Sequence, residues 1–269
     1  MKKTFNIGYY ERIRPNHVHP LVEARRRYLL FPNDNAVTSS LIQGWIYEPY
    51  MFKFISDNLI DLTGTHIADI GANNGHFTIE FAHYVGDDGM VFSFEPQRVI
   101  FQQLCGNVFI NGLDNVQCYN MAVGNEESII FVEKPDYFSN DAINFGDVHT
   151  NKHNNYLLSD KVQQIKLDDI EFKNLSIIKI DVQGFEPFVI EGAINTINLH
   201  RPYIFVEIEG EQLEKFGYGE QELIKQIEDL NYVVKRFQVG IKYQTKSGIC
   251  LDCVCIPKEK YDKENYIVR

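Results

Sequence analysis

The residues of this chain that are best placed for chemistry form a glycine-containing turn, DIGANNG, at positions 69–75. An apolar stretch precedes the turn and a segment with helical spacing follows it, so the turn is predicted to join a β-strand to a helix. Such a turn needs glycine where φ is positive or where a ligand approaches the backbone. In open α/β sheets, ligands bind beyond the carboxyl ends of the strands, where this turn is predicted to lie. We therefore predict that Asp69, Gly71, Asn73 and Gly75 bind a cofactor.

The spacing and charge of this turn indicate which cofactor it suits. It lacks the G-x-G-x-x-G pattern that places a pyrophosphate on a helix N-terminus. The carboxylate of Asp69 suits the ammonium of a methionine moiety better than two phosphates. Both features favour S-adenosylmethionine over NAD, although a D-x-G sequence alone also fits a purely structural turn.

Further cofactor contacts are predicted at the ends of the next two strands. Glu95 lies about 20 residues beyond the glycines, where an acid accepts hydrogen bonds from both ribose hydroxyls of an adenosine. NAD enzymes use the same device, so Glu95 predicts an adenosine without distinguishing the two cofactors. Met121 and Ala122 end the third predicted strand, where an adenine ring would lie, and their assignment depends on position alone.

Candidate catalytic residues follow a continuous apolar strand in IIKIDVQGFE, at positions 177–186. The methyl group of a bound S-adenosylmethionine would lie at the end of this strand. Asp181 there either orients a substrate or accepts a proton from its hydroxyl group, or it holds the methionine end of the cofactor. Glu186 is a second candidate, with the alternative that it is a charge at a helix N-terminus. His153, or His149, in a long polar loop is another candidate base, although a lone loop histidine is more often simply exposed.

The elements that position these residues alternate between strands and helices. Predicted strands cover 65–70, 91–95, 115–123, 127–134, 161–167, 175–181, 203–209, 232–237 and 249–257, and the clearer helices cover 50–62, 76–85, 96–110, 187–197 and 219–230. Strand–helix–strand units with short loops predict an α/β fold with a mostly parallel sheet. The last two strands have no helix between them and are predicted to form an antiparallel end of that sheet.

Six segments in this order resemble the FkbM family of class I S-adenosylmethionine-dependent methyltransferases. They are ADIGANNGHFTIEFA, FSFEPQ, AVGN, KLDDI, IIKIDVQGFEPFVIEGA and PYIFVEIE. The resemblance covers roughly residues 65 to 210 and implies a Rossmann-like domain that methylates hydroxyl groups of sugars or natural products. Upstream, GWIYEPYMFKFI is similar to the segment that often precedes this domain. Glu48 matches its acidic position, so we include Glu48 among the cofactor-binding candidates.

One position departs from the family pattern. The family commonly has Asp-x-Glu-Gly, and this chain has Gln183 in place of that Glu. Glutamine keeps the hydrogen bonding but not the charge, which leaves the assignment of the acid–base residue open and permits a different substrate.

Composition narrows the class of partner. The 269 residues include 26 Lys+Arg and 37 Asp+Glu, a formal net charge of −11, which argues against nucleic acid or an anionic membrane. No apolar run is long enough for a membrane span, and no secretory signal is visible, so a cytoplasmic protein is expected. Asp141, Asp181 and Glu186 are of the ligand type that Mg²⁺ prefers, but nothing fixes their geometry, and no metal is predicted.

Taken together, these features predict a methyltransferase domain at 63–260 behind an N-terminal extension or lid at 1–62. The expected acceptor is a hydroxyl on a sugar or other small molecule, covered by the polar segment 135–160. The alternatives are methylation of an amine or carboxyl group, including one on a protein, an NAD-dependent oxidoreductase, and a noncatalytic domain that binds an adenosine cofactor.

Overall fold

The structure of the chain, a computed structural model, describes residues 8–15, 23–31, 33, 34, 37–43, 46–59, 61–137, 141, 144, 159–237, 251–263, 266 and 268. Within them the strands are β1 Gly8–Pro15, β2 Glu23–Leu30, β3 His66–Ile70, β4 Met90–Phe94, β5 Val116–Tyr119, β6 Met121–Val123, β7 Ser128–Glu133, β8 Ser159–Ile165, β9 Leu175–Ile180, β10 Tyr203–Ile208, β11 Tyr232–Arg236 and β12 Leu251–Pro257. The helices are α1 Val37–Ile42, α2 Pro49–Asn58, α3 His76–Val85, α4 Arg98–Ile110, α5 Glu186–Glu191, α6 Ile194–His200, α7 Gly210–Glu214, α8 Glu220–Glu228 and α9 Lys258–Tyr261.

The centre of the fold is a seven-stranded sheet in the order β11-β12-β10-β9-β3-β4-β5. Five adjacent strands, from β10 to β5, run parallel. Strand β12 is antiparallel to both of its neighbours, β10 and β11. The predicted α/β fold, with a mostly parallel sheet and an antiparallel end, is confirmed.

Helices cover both faces of this sheet because its inner strands are apolar on both sides. On one face, Val189 of α5, Ile197 of α6 and Leu223 of α8 pack with the strand residues around Ile178 and Ile180. On the other face, α2 and α3 pack with a second cluster that includes Ile177 and Phe205. The polar side chains described below lie on this second face, at the carboxyl end of the parallel strands.

The predicted third strand, 115–123, is wrong as a single element. Strand β5 ends at Tyr119, and Met121 begins β6, which belongs to a separate sheet with β8 and β7. Between them the Asn120 side chain donates to the carbonyl oxygens of Glu95 and Pro96, at 2.9 and 3.0 Å. This side chain turns the backbone away from the main sheet.

The predicted helix at 187–197 is also divided. It forms α5 and α6, separated at Gly192. A Cβ atom at Gly192 would lie 1.8 Å from the carbonyl oxygen of Gly124, so the packing of a distant loop sets this break.

The part of the chain before the sheet contains a hairpin that the sequence did not predict, formed by β1 and β2. Arg26 on β2 is buried, and two of its guanidinium nitrogens donate to Glu80 of α3 at 3.2 Å each. Helix α2 packs into the core of the sheet. The division between an extension and a catalytic domain at residue 62 stays a prediction. Among the helices described here, none is long and apolar enough to cross a membrane.

Candidate active site

The carboxyl edge of the sheet brings together acidic residues that are far apart in sequence. Pairing in register places Asp69 of β3 opposite Lys179 of β9. One step further along the strands, Asp181 follows β9, and Glu207 of β10 lies opposite Asp252 of β12. Because the parallel strands all end on the same side of the sheet, residues from several strands meet at this edge. The result is a row of carboxylates around one lysine.

The glycine turn between β3 and α3 has the geometry that its sequence predicts. Gly71, Asn73 and Gly75 have φ values of 76°, 49° and 87°. The backbone N–H groups of Gly71 and Ala72 both donate to the carbonyl oxygen of Phe94, at 3.0 Å each, which anchors the turn on β4. The turn passes so close to β9 that a Cβ atom at Gly71 would lie 1.8 Å from the carbonyl oxygen of Asp181.

Glu95 lies directly beyond β4 and is held by this same turn. One carboxylate oxygen accepts the N–H of Asn73 at 2.9 Å, and the other accepts the N–H of Gln97 at 2.8 Å. Each oxygen keeps a further lone pair, so the acceptor set fits a pair of vicinal hydroxyls such as those of a ribose. Burial, opposed by these two backbone hydrogen bonds, raises the pKa of Glu95 to about 7.

Asp69 is less accessible than the sequence prediction requires. It is 0% exposed. One oxygen accepts the hydroxyl of Thr78 at 2.6 Å, and the other lies 3.6 Å from the ammonium of Lys179. Burial raises the pKa of Asp69, against the lowering effect of Lys179. This geometry favours an indirect role, in which Asp69 balances the buried lysine, over the predicted contact with the ammonium of a ligand.

Asp181 is partly open to solvent, with 31% of its side chain exposed. One oxygen lies 3.5 Å from the Lys179 ammonium, and the other accepts the amide N–H of Gln183 at 3.1 Å. The same amide nitrogen donates to Glu207 at 3.0 Å. Gln183 therefore joins the ends of β9 and β10, and a glutamate there would have no N–H to donate.

The geometry of Glu186 fits its alternative role, a charge at a helix N-terminus. It is the first residue of α5 and is buried. One carboxylate oxygen accepts the N–H groups of Val182 and Gly184, at 3.2 Å each, and so closes the turn after Asp181. Burial raises the pKa of Glu186 to about 7. A catalytic role for Glu186 stays a prediction that this geometry does not favour.

Glu48 completes the edge near β12, together with Tyr50 and Asp252, which the sequence analysis missed. The hydroxyl of Tyr50 in α2 donates to the carboxylate of Asp252. Glu48 precedes α2 in a left-handed conformation with φ 47°. Burial, followed by the charges of Asp252 and Asp181, raises the pKa of Glu48 well above its usual range. Glu48 thus lies near Asp252 and Asp181 in the acidic row rather than beside Glu95. Its predicted role in cofactor binding stays a prediction that this placement does not favour.

A signal in the sequence could have found Asp252 and Glu207. Each is a lone carboxylate in an otherwise apolar strand of the core. A charged residue in such a strand is expected at an edge where it has a polar partner.

The remaining predicted site residues lie in the small sheet or outside the described ranges. Met121 is half-buried and Ala122 is buried in the small sheet beside β4. His153 and His149 lie outside the described residues, as does most of the segment 135–160. Tyr137, within that segment, is buried, and its hydroxyl donates to the Gln97 side chain at 3.2 Å. Within the described ranges, no group of three or more His, Cys, Asp or Glu side chains is arranged to hold a metal ion.

The raised pKa of Glu95 predicts a pH-dependent stability. Because its pKa of about 7 in the folded protein exceeds the ordinary 4.5, the folded state retains a proton that the unfolded chain has lost. Its contribution to the free energy of unfolding is therefore present at about pH 4.5 and is lost as the pH rises through about 7. Burial lowers the pKa of His83 below its ordinary 6.5, so His83 makes the folded protein more stable as the pH rises. The contribution of Glu95 is therefore measured as a difference between the wild type and a variant without the Glu95 carboxylate.

We expect the free energy of unfolding of Glu95→Gln, minus that of the wild type, to increase by roughly 2–3 kcal/mol between about pH 5 and pH 8. Denaturant unfolding of both proteins without ligand measures this. A difference that is constant with pH would mean that Glu95 has an ordinary pKa.

The chain is similar to known methyltransferases in its sequence motifs and in its fold. Residues 69–234 match the family profile described as the methyltransferase FkbM domain. A solved methyltransferase FkbM from Methylobacillus flagellatus KT has a TM-score of 0.51 and 15% identity, over 78% of this chain and 48% of that chain. This chain thus spans about half the length of that protein, and the likeness supports the fold. Aeropyrum pernix fibrillarin, solved with S-adenosyl-L-methionine bound, has a TM-score of 0.45 and 10% identity, over 87% of this chain and 79% of that chain. No curated protein sequence matches this chain.

Proposed function

Because this chain belongs to the FkbM family of S-adenosylmethionine-dependent methyltransferases, we propose that it methylates a hydroxyl group on a sugar or another small molecule. The observation that carries the choice of a hydroxyl is Asp181, a partly exposed carboxylate fixed between Lys179 and Gln183. An alcohol must lose a proton to become a nucleophile, whereas a neutral amine is already one.

The residues of the edge divide into a cofactor part and an acceptor part. Glu95 would hold the ribose hydroxyls, with the Asn73 and Gln97 N–H groups keeping its carboxylate oriented. Met121 and Ala122 would lie near the adenine. The bound S-adenosylmethionine supplies an electrophilic methyl group. Asp181 accepts the proton of the acceptor hydroxyl, and the surrounding structure aligns that oxygen and excludes water.

The acceptor side consists of Asp181, Gln183, Glu207 and Asp252, with Glu48 beside them. Carboxylates accept hydrogen bonds from hydroxyl groups, and an amide both accepts and donates them, so this set suits an acceptor with several hydroxyl groups. The segment 135–160 is proposed to cover this side, supported by its aromatic and polar composition. The formal net charge of −11 supports a small acceptor over nucleic acid.

Removal of Glu95 should weaken cofactor binding. We expect Glu95→Ala to lose roughly 2–4 kcal/mol of binding free energy for S-adenosylhomocysteine, since charge-assisted hydrogen bonds contribute about 1.5–3 kcal/mol each and are not fully additive. Calorimetry on this variant, with the exposed Glu127→Ala as a control, measures the loss. Equal affinity in wild type and Glu95→Ala would remove Glu95 from the site.

The acceptor is found by incubating the protein with S-adenosylmethionine that carries a tritiated methyl group and a panel of candidate acceptors. The panel contains neutral sugars, other alcohols, amines, carboxylates and peptides. We expect label in hydroxylated neutral acceptors, in an ether that is stable to mild base. Label found solely in amines, or in an ester that releases labelled methanol in mild base, would contradict the proposal.

A further inference from the structure

We propose that Lys179 is a positioning residue whose buried ammonium couples the cofactor turn to the acceptor-side carboxylate. The assignment deepens the proposed function, since it relies on Asp181 being part of the methyl-transfer site. Lys179 can link the two because its ammonium contacts both the glycine turn and the acidic row.

The ammonium group of Lys179 contacts three separate backbone segments. Its nitrogen lies 3.2 Å from the carbonyl oxygen of Gly71, 3.5 Å from Asp181 and 3.6 Å from Asp69. Its fourth side faces the ring of Phe77, 5.0 Å from the ring centroid. The three oxygens belong to the turn, to the end of β9 and to the end of β3. One cation therefore fixes these segments at the place where they meet.

The charge of Lys179 is balanced by carboxylates on the elements around it. The titratable groups that act on it are Asp181 after β9, Asp69 on β3, Glu48 before α2 and Glu207 on β10. Burial lowers the pKa of the lysine, but these four carboxylates raise it more, so the net shift is upward and the ammonium stays charged.

The ammonium in turn counteracts burial at the surrounding acids. Burial raises the pKa of Asp69, Glu95, Glu48 and Asp252, and in each case Lys179 lowers it. Asp69 lies 3.6 Å from the ammonium, within the range where an opposite charge shifts a carboxyl pKa by about 1 to 3 pH units. Without the lysine, these groups would hold their protons to a higher pH, and the Gly71 carbonyl would lose its donor.

A specific defect is expected for Lys179→Met, which keeps the length of the side chain and removes the charge. Cofactor binding should weaken at neutral pH, and the pH below which binding is lost should rise by about 1 pH unit, the lower end of the range for a contacting opposite charge, because burial and two backbone hydrogen bonds affect the pKa of Glu95 more than Lys179 does. Lys179→Arg keeps the charge and should keep that pH near its wild-type value, even if its larger head lowers stability. A merely structural lysine would change stability in both variants and leave the pH profile of binding unchanged.

The experiment measures the dissociation constant of S-adenosylhomocysteine by calorimetry from about pH 6 to pH 9 for wild type, Lys179→Met and Lys179→Arg. The exposed Lys161→Met on β8 is the matched control. We expect the pH below which affinity is lost to rise in Lys179→Met alone. The same pH in wild type and Lys179→Met would overturn the proposal. If Lys179→Met does not fold, Lys179→Gln, which keeps an N–H donor for Gly71, replaces it with the same criterion.

Unfolding measured without ligand separates this proposal from the proposed function. If the wild type fails to bind S-adenosylhomocysteine, the proposed function fails. The pH dependence of unfolding should still differ between wild type and Lys179→Met, because the carboxyl groups lose their partner. If that dependence is also the same in both proteins, the coupling by Lys179 is wrong as well.

Discussion

Gly71→Ala is expected to destabilise the protein by roughly 3–5 kcal/mol and to abolish cofactor binding. A Cβ atom there would lie 1.8 Å from the carbonyl oxygen and 2.9 Å from the carbonyl carbon of Asp181. These are backbone atoms, so β3 and β9 would have to separate. The φ of 76° adds the strain of a left-handed conformation.

Gly217→Ala is the matched control, because it has the same strain without the clash. Its φ is 83°, and apart from its chain neighbours no atom of the residues that the structure describes lies within 4 Å of the place that a Cβ atom would take there. We expect a loss of about 1–2 kcal/mol from the backbone conformation alone, with cofactor binding unchanged. Denaturant unfolding and calorimetry measure both effects. Similar losses in the two variants would mean that the close approach of Gly71 to Asp181 is absent.

Asp181→Asn is expected to lower turnover by about 100- to 10,000-fold, the usual effect of losing a general base. Asparagine keeps the shape of the side chain and an oxygen that accepts the Gln183 N–H, but it does not accept a proton. The affinity for the cofactor should change little. The rate at saturating cofactor and the cofactor dissociation constant are measured with the acceptor found in the tritium screen, and the exposed Asp88→Asn is the control.

The two measurements distinguish the roles that the sequence left open for Asp181. Weaker cofactor binding with a saturated rate near that of the wild type would assign Asp181 to the methionine end. A variant that is normal in both quantities would eliminate it from the site.

Much of the fold could be predicted from the sequence because its signals are local. Apolar runs such as IIKI and IFVEI are long enough to identify buried parallel strands, and the glycine turn marks where the first strand meets its helix. The family motifs then fix the order of these units. The positions of the residues proposed to hold the cofactor could also be predicted, since Glu95 and the turn are adjacent to strand ends that the pattern identifies.

What the sequence did not predict depends on contacts between distant residues. The break at Gly192 arises from its approach to Gly124, and the end of β5 is set by the Asn120 side chain. Neither contact leaves a periodic pattern. The run of three arginines at 25–27 likewise gives no sign that Arg26 is buried against Glu80, 54 residues away.

Lys179 is the clearest case of this kind at the site itself. In IIKID it interrupts an apolar strand, which is a signal that a buried partner exists, but its partners are a backbone carbonyl and carboxylates from other strands. The pairing of β10 with β12 likewise places Glu207 opposite Asp252, which is far from it in sequence. These relationships become visible when the register of the sheet is known.

The most direct test of the assigned cofactor site is calorimetric titration of the wild-type protein with S-adenosylmethionine, S-adenosylhomocysteine and NAD under the same conditions at about pH 8, above the pKa of about 7 that burial gives Glu95. We expect both sulfur-containing ligands to bind with one site per chain, and NAD to give no binding heat, because the turn lacks the pyrophosphate pattern. Binding of NAD with no binding of the other two would contradict the assignment of this edge as a methyltransferase site.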